Sequence, residues 1–172
     1  MKTMKKILAL ALAGVMALAL LTGCGTGSSA SHKSIAKAMA DYDNSLHRKT
    51  TITCTSSAVL DAKLQELAAD PIFEAVVKAV YNGQSPTISS VAVPANKVVY
   101  LYCGKYDKDA GMQAINLNAR RPACANTYPA GSIPPSLADE RQIGLITTSF
   151  TDTNGKKVKV RFAVVVSDYP NP

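Results

Sequence analysis

Apolar positions change period along this chain, and each change marks a different element. Ile35, Met39, Tyr42 and Leu46 recur at helical spacing with Lys37, Asp41 and Asn44 between them, which predicts an amphipathic helix capped by Ser31 or Ser34. Thr50 to Cys54 is a short β-prone run with Ile52 and Cys54 on one face. Ser56 and Ser57 then precede Leu60, Leu64 and Leu67, again at helical spacing. Asp70 and Pro71 supply a carboxylate cap and a first-turn proline, so they start a further helix lined by Ile72, Phe73, Val76, Val77 and Val80. Asn82 and Gly83 end it.

The second half alternates. Thr87 to Val93 and Lys97 to Cys103 are β-rich runs separated by Pro94, Ala95 and Asn96, which predicts a hairpin. Asn154 and Gly155 predict a second, tight hairpin closed by a type I′ turn, with Phe150 opposite Lys159 and Thr148 opposite Arg161. Strict alternation turns Val158, Val160, Phe162 and Val164 inward and leaves Lys157, Lys159 and Arg161 as an outward basic row. Between the hairpins Asn118 to Gln142 is rich in proline, which predicts a functional loop or one wrapped over the sheet. The expected class is α+β, with N-terminal helices packed on one face of a mostly antiparallel sheet built of two hairpins.

The first residues fit none of these periods. Lys2, Lys5 and Lys6 precede an uncharged run from Ile7 to Leu21, shorter than the ~20 residues a spanning helix needs, which reads as an export signal. Directly after it, Leu21, Thr22, Gly23 and Cys24 resemble the lipobox of bacterial lipoproteins. That resemblance implies cleavage before Cys24 and a lipid on its sulfur, so the mature chain is anchored to the outer, extracytoplasmic face of the cell membrane. Gly25 to Ser31 has a composition with little drive to pack. The expected division is residues 1–23 as signal peptide, 24–33 as lipidated cysteine and tether, and 34–172 as one small domain.

Charge changes the picture little. Removing the three signal lysines lowers the net charge from +7 to +4, and no aromatic-basic interleaving appears, so nucleic acid is not an expected partner. Cys54, Cys103 and Cys124 are an odd number for an exported domain. A Cys103–Cys124 bridge is favoured because it pins the proline-rich loop at a gain of roughly 3 kcal/mol. Cys54 with Cys103 is the competing pair. Metal-ligand spacing fails, since the imidazole nearest Cys54 is His47 and the other, His32, adjoins the tether. Asp107, Asp109 and Gly111 fit a polar turn better than a calcium loop.

Neither a cofactor nor a catalytic set is expected. The remaining chemistry lies in Arg120, Arg121 and Tyr128 on the loop and in Lys157, Lys159 and Arg161 on the strand, residue types suited to forked hydrogen bonds and rigid contact. The favoured function is therefore a tethered binding or interaction module for an anionic envelope component or another surface protein. An accessory or structural subunit of an envelope complex and a small hydrolase using a dispersed Cys and His site, Cys54 with His47, or an unrecognised Ser and His arrangement remain as alternatives.

Overall fold

The structure, a computed structural model, describes residues 30–46, 49–86, 93 and 96–169. Cys24 and its lipobox, His47, Pro94, Ala95 and all of the expected Thr87 to Val93 strand except Val93 lie outside the described residues.

Among the described residues, four helices pack with a five-stranded sheet. The helices are α1 (Ala30–Ser45), α2 (Ala58–Ala68), α3 (Phe73–Tyr81) and α4 (Ala110–Asn118). The strands are β1 (Thr53–Ser56), β2 (Lys97–Lys105), β3 (Ala123–Cys124), β4 (Glu140–Thr151) and β5 (Lys157–Asp168). Their order is β1-β4-β5-β2-β3, and every neighbouring pair is antiparallel except β1 with β4. The α+β expectation therefore holds.

Helices cover both faces of the sheet, where one face was expected. Leu60, Leu64 and Leu67 of α2 and Phe73, Val77 and Val80 of α3 meet Val99, Leu101, Phe162 and Val164 on one side. On the other, Ile35 and Met39 of α1 and Leu117 of α4 meet Tyr102, Ile143, Leu145, Ala163 and Val165. The physical reason is visible in β5, where Phe162 to Val166 is an unbroken apolar run rather than an alternating one. Two close approaches make this layering work. A Cβ on Gly144 would meet the Leu60 Cβ at 2.3 Å, and one on Gly104 would meet the Asn116 carbonyl oxygen at 2.3 Å. Both helices thus sit on bare backbone.

Local chemistry sets the boundaries. Ser57 caps α2 by accepting from the Leu60 N–H at 3.4 Å, while Asp70 accepts from the Ile72 N–H at 2.9 Å in the turn before α3. Helix α1 begins at Ala30, so residues 30–33, expected in the tether, belong to the fold. Helix α4 was not expected at all. Asp109 caps it by accepting from the Met112 N–H at 2.8 Å, and Asp107 accepts from the Asp109 N–H at 2.9 Å, so both acids of the calcium-like stretch serve the turn. Gln113, fully buried, locks that turn by accepting from Asp107 N–H and donating to the Lys105 carbonyl.

The β4–β5 hairpin forms, but one residue out of the expected register: Thr151 pairs with Lys157, Ser149 with Lys159 and Thr147 with Arg161. Asp152 is the cause. Its carboxylate accepts from the N–H groups of Asn154 and Lys156 at 2.9 and 2.8 Å, and its carbonyl accepts from the Gly155 N–H at 3.1 Å. The loop is therefore a turn from Asp152 to Gly155, closed by Gly155 at φ +76°, rather than a two-residue type I′ turn. Beyond β1 the edge of β4 is covered by acids, with Asp61 accepting the Leu145 N–H at 2.7 Å and Glu74 the Thr151 N–H at 2.8 Å.

Candidate functional site

Residues 125–139 have no regular structure but are fastened to the sheet. Asn126 continues the pairing of β3 in side-chain form: its Oδ1 accepts from the Val99 N–H at 2.9 Å and its Nδ2 donates to the Lys97 carbonyl at 2.7 Å. The Tyr100 hydroxyl donates to the Pro135 carbonyl at 2.9 Å, and the Ser167 hydroxyl oxygen accepts from the Ala138 N–H at 3.0 Å. Such pinning answers the sequence-level question about the loop. It wraps over the face that carries α1 and α4.

Between this loop, the end of α1 and the even-numbered side chains of β2 lies a cleft of about 500 Å³. Tyr100 and Tyr102 form its floor, Tyr128 and Arg121 stand in its wall, and Asp43 with Arg141 closes one end. The floor follows from strand periodicity, since both tyrosines project to the same face of β2. Arg141 makes an ion pair with Asp43 through Nη1 and donates from Nε to the Ala138 carbonyl at 2.8 Å. Both side chains of that pair are largely removed from water. Tyr128 is 39 % exposed and Arg121 is exposed, so both offer contact area to a ligand.

The expected binding residues do not gather in one place. Arg121 and Tyr128 line this cleft, whereas exposed Arg120 is not among its walls. Lys157, Lys159 and Arg161 lie on β5, and Arg161 lines a separate hollow at the opposite end of α4. Nor do they make a solvated row. Lys157 and Lys159 are exposed, but Arg161 is 6 % exposed, because α1 and α4 cover the face on which alternation placed it. Asp43 and Arg141, which complete the cleft, were missed by the sequence reading. The spacing between them carries no local signal.

The three cysteines within the described residues are free thiols, and the expected Cys103–Cys124 bridge is absent. Its geometry is prohibitive: Cys103 packs with Val99 and Leu101 on the α2/α3 face, while Cys124 pairs with Tyr100, whose side chain points to the other. The competing Cys54–Cys103 pair fails as well, with the two on opposite faces and β4 and β5 between their strands. Burial pushes the Cys103 thiol up to about 12. It does the same to Cys54, to about 12, where Arg141 pulls down and Asp43 pushes up by smaller amounts. Cys124 is also raised by burial, against hydrogen bonds from Asn126 and Tyr100. Burial thus favours the thiol over the thiolate at all three, and a thiol is the weaker nucleophile and metal ligand.

The lining gives the cleft contact chemistry. It offers aromatic area, one accessible guanidinium and a fixed ion pair at its end, the residue types that favour recognition surfaces. No protein-family model, no curated protein and no solved structure matches this chain.

Proposed function

We propose that this chain is a lipid-anchored extracytoplasmic binding module whose cleft takes an anionic component of the cell envelope. The address rests on the export signal and the Leu21-Thr22-Gly23-Cys24 lipobox resemblance. Two acyl chains on Cys24 would hold the domain at the membrane surface, where one chain alone is marginal. The ligand class rests on the cleft. Its Tyr100 and Tyr102 rings stand on β2, exposed Arg121 stands just before β3, and Tyr128 stands on a loop that is pinned at both flanks, so little ordering is needed on binding.

The observation that carries this reading is the placing of Arg121 and Tyr128 in one cleft with the β2 tyrosines. For the hydrolase alternative, burial raises the Cys54 thiol to about 12, so that reading needs an adjacent base to take its proton. The test is binding of purified anionic wall polymer and of anionic vesicles to the wild-type chain and to an Arg121→Gln, Tyr128→Ala variant. Weakened binding by the variant is expected; equal binding would overturn the assignment of the cleft.

A further inference from the structure

Arg161 is a buried cation whose hydrogen bonding is incomplete. It is 6 % exposed, and its Nε is a buried polar atom without a hydrogen-bond partner. Its strand neighbours supply no acid, for it pairs with Gly104 on β2 and Thr147 on β4. Its guanidinium instead lies 5.2 Å from the centre of the Tyr106 ring, which Lys159 Nζ approaches at 3.8 Å. A buried charged donor left unpaired costs more than an unpaired neutral one, so evolution seldom leaves one without purpose.

The same guanidinium lines a hollow of about 300 Å³ between the starts of α1 and α4, with Ser34, Ile35, Tyr106, Lys108, Asp109 and Ala110. One acid in the wall is already engaged, Asp109 accepting from the Met112 N–H as the cap of α4. Asp61, which acts on Arg161 electrostatically, is held by His32 at 2.7 Å and by the Leu145 N–H at 2.7 Å. Neither acid makes a hydrogen bond to Arg161. Both nevertheless set a limit on the charge that the hollow tolerates.

We propose that this hollow is a second ligand site, distinct from the tyrosine-lined cleft, and that it takes a small monocarboxylate. Two carboxylate oxygens match the fork made by the two terminal nitrogens of a guanidinium, which a single-point cation does not reproduce. The apolar body of the acid lies against Ile35 and the Tyr106 ring. Around the hollow the cations Arg161, Lys108 and Lys159 exceed the acids Asp61 and Asp109 by one charge, which a monoanion balances and a dianion overshoots, so phosphate is the poorer fit.

The experiment is a titration of the ¹⁵N-labelled full chain in detergent micelles with sodium acetate, and separately with sodium phosphate, at constant ionic strength. Acetate is expected to move the Arg161 Nε–H resonance and the Tyr106, Lys108 and Ala110 amides along one saturable curve, with phosphate weaker. Arg161→Lys, which keeps the charge but loses the fork, should weaken acetate binding by roughly tenfold. Should that variant fail to fold, the Arg161 Nε–H response in the wild-type chain decides the matter alone. No saturable shift, an equal response from Arg161→Lys, or tighter binding of phosphate would each overturn the proposal.

Discussion

His32 Nδ1 lies 2.7 Å from the Asp61 carboxylate, whose second oxygen accepts the Leu145 N–H at 2.7 Å. One acid therefore ties the first turn of α1, the first turn of α2 and the edge of β4 beyond β1. A chain that starts at residue 34 loses the imidazole and the opening turn, whereas one that starts at residue 25 keeps both. The second should unfold at the same temperature as the mature protein and the first several degrees lower. Asp61→Ala should destabilise by about 2 to 4 kcal/mol, since it orphans a buried N–H as well. Equal thermal midpoints for the two truncations would show that residues 30–33 carry no fold stability.

The bare backbone contacts give a sharper test of the layering. Gly144→Ala and Gly104→Ala should each destabilise by several kcal/mol, because the added carbon meets Leu60 or the Asn116 carbonyl at 2.3 Å and the helix must move away. Lys159→Ala, on an exposed side chain, should change stability by less than about 1 kcal/mol. Gly155→Val should lie between them, from strain at φ +76°. Urea unfolding of the four variants checks this order.

The elements seen in the sequence were those with a strong local period, and the errors came from side-chain bonds to nearby backbone as well as from partners that are distant in the chain. The leucines of α2 and the valines of α3 announce their helices, and both form. Asp152 shifted the hairpin register because a side chain that bonds two backbone N–H groups outweighs the preference of Asn154-Gly155 for a two-residue turn. Helix α4 was hidden because its buried face of Gln113, Ala114 and Leu117 is short and partly polar, and because Gly104, against which it packs, carries no apolar signal. The cleft was half visible. Arg121 and Tyr128 stand on a loop whose length is itself a signal, but Asp43 and Arg141 meet through folding alone.

The buried thiols predict a loss of stability at alkaline pH. Cys103 and Cys54 have folded values of about 12 against an ordinary 9.0, so above 9 the unfolded chain releases protons that the folded chain keeps. Their contribution is complete below pH 9 and is lost as pH rises through 12. From Cys103 alone the slope is about 1.4 kcal/mol per pH unit in that window, and Tyr100, raised by burial, acts in the same direction. Urea midpoints measured from pH 7 to 11 should be flat and then fall, and Cys103→Ser should remove part of the fall. Alkylation of the native protein should spare Cys103, which is 2 % exposed.

Lipidation has its own readout. On the proposed lipidation, Cys24→Ala should leave an unprocessed precursor that takes up no fatty-acid analogue, while the wild-type mature form, denatured, should titrate three free thiols, the proposal placing the lipid on the fourth cysteine. Labelling of the variant would remove the anchor from the account.

The central claim is that the tyrosine-lined cleft recognises an anionic envelope component, and co-sedimentation across a salt series tests it most directly. The full chain is spun with purified anionic wall polymer or with vesicles rich in anionic lipid, beside Arg121→Gln with Tyr128→Ala and beside Lys157→Gln with Lys159→Gln. Binding should fall steeply once the screening length drops below about 10 Å, the cleft variant should lose most of it, and the strand variant should lose little. Binding indifferent to salt and to the cleft substitutions, or lost only with the strand lysines, would contradict the account.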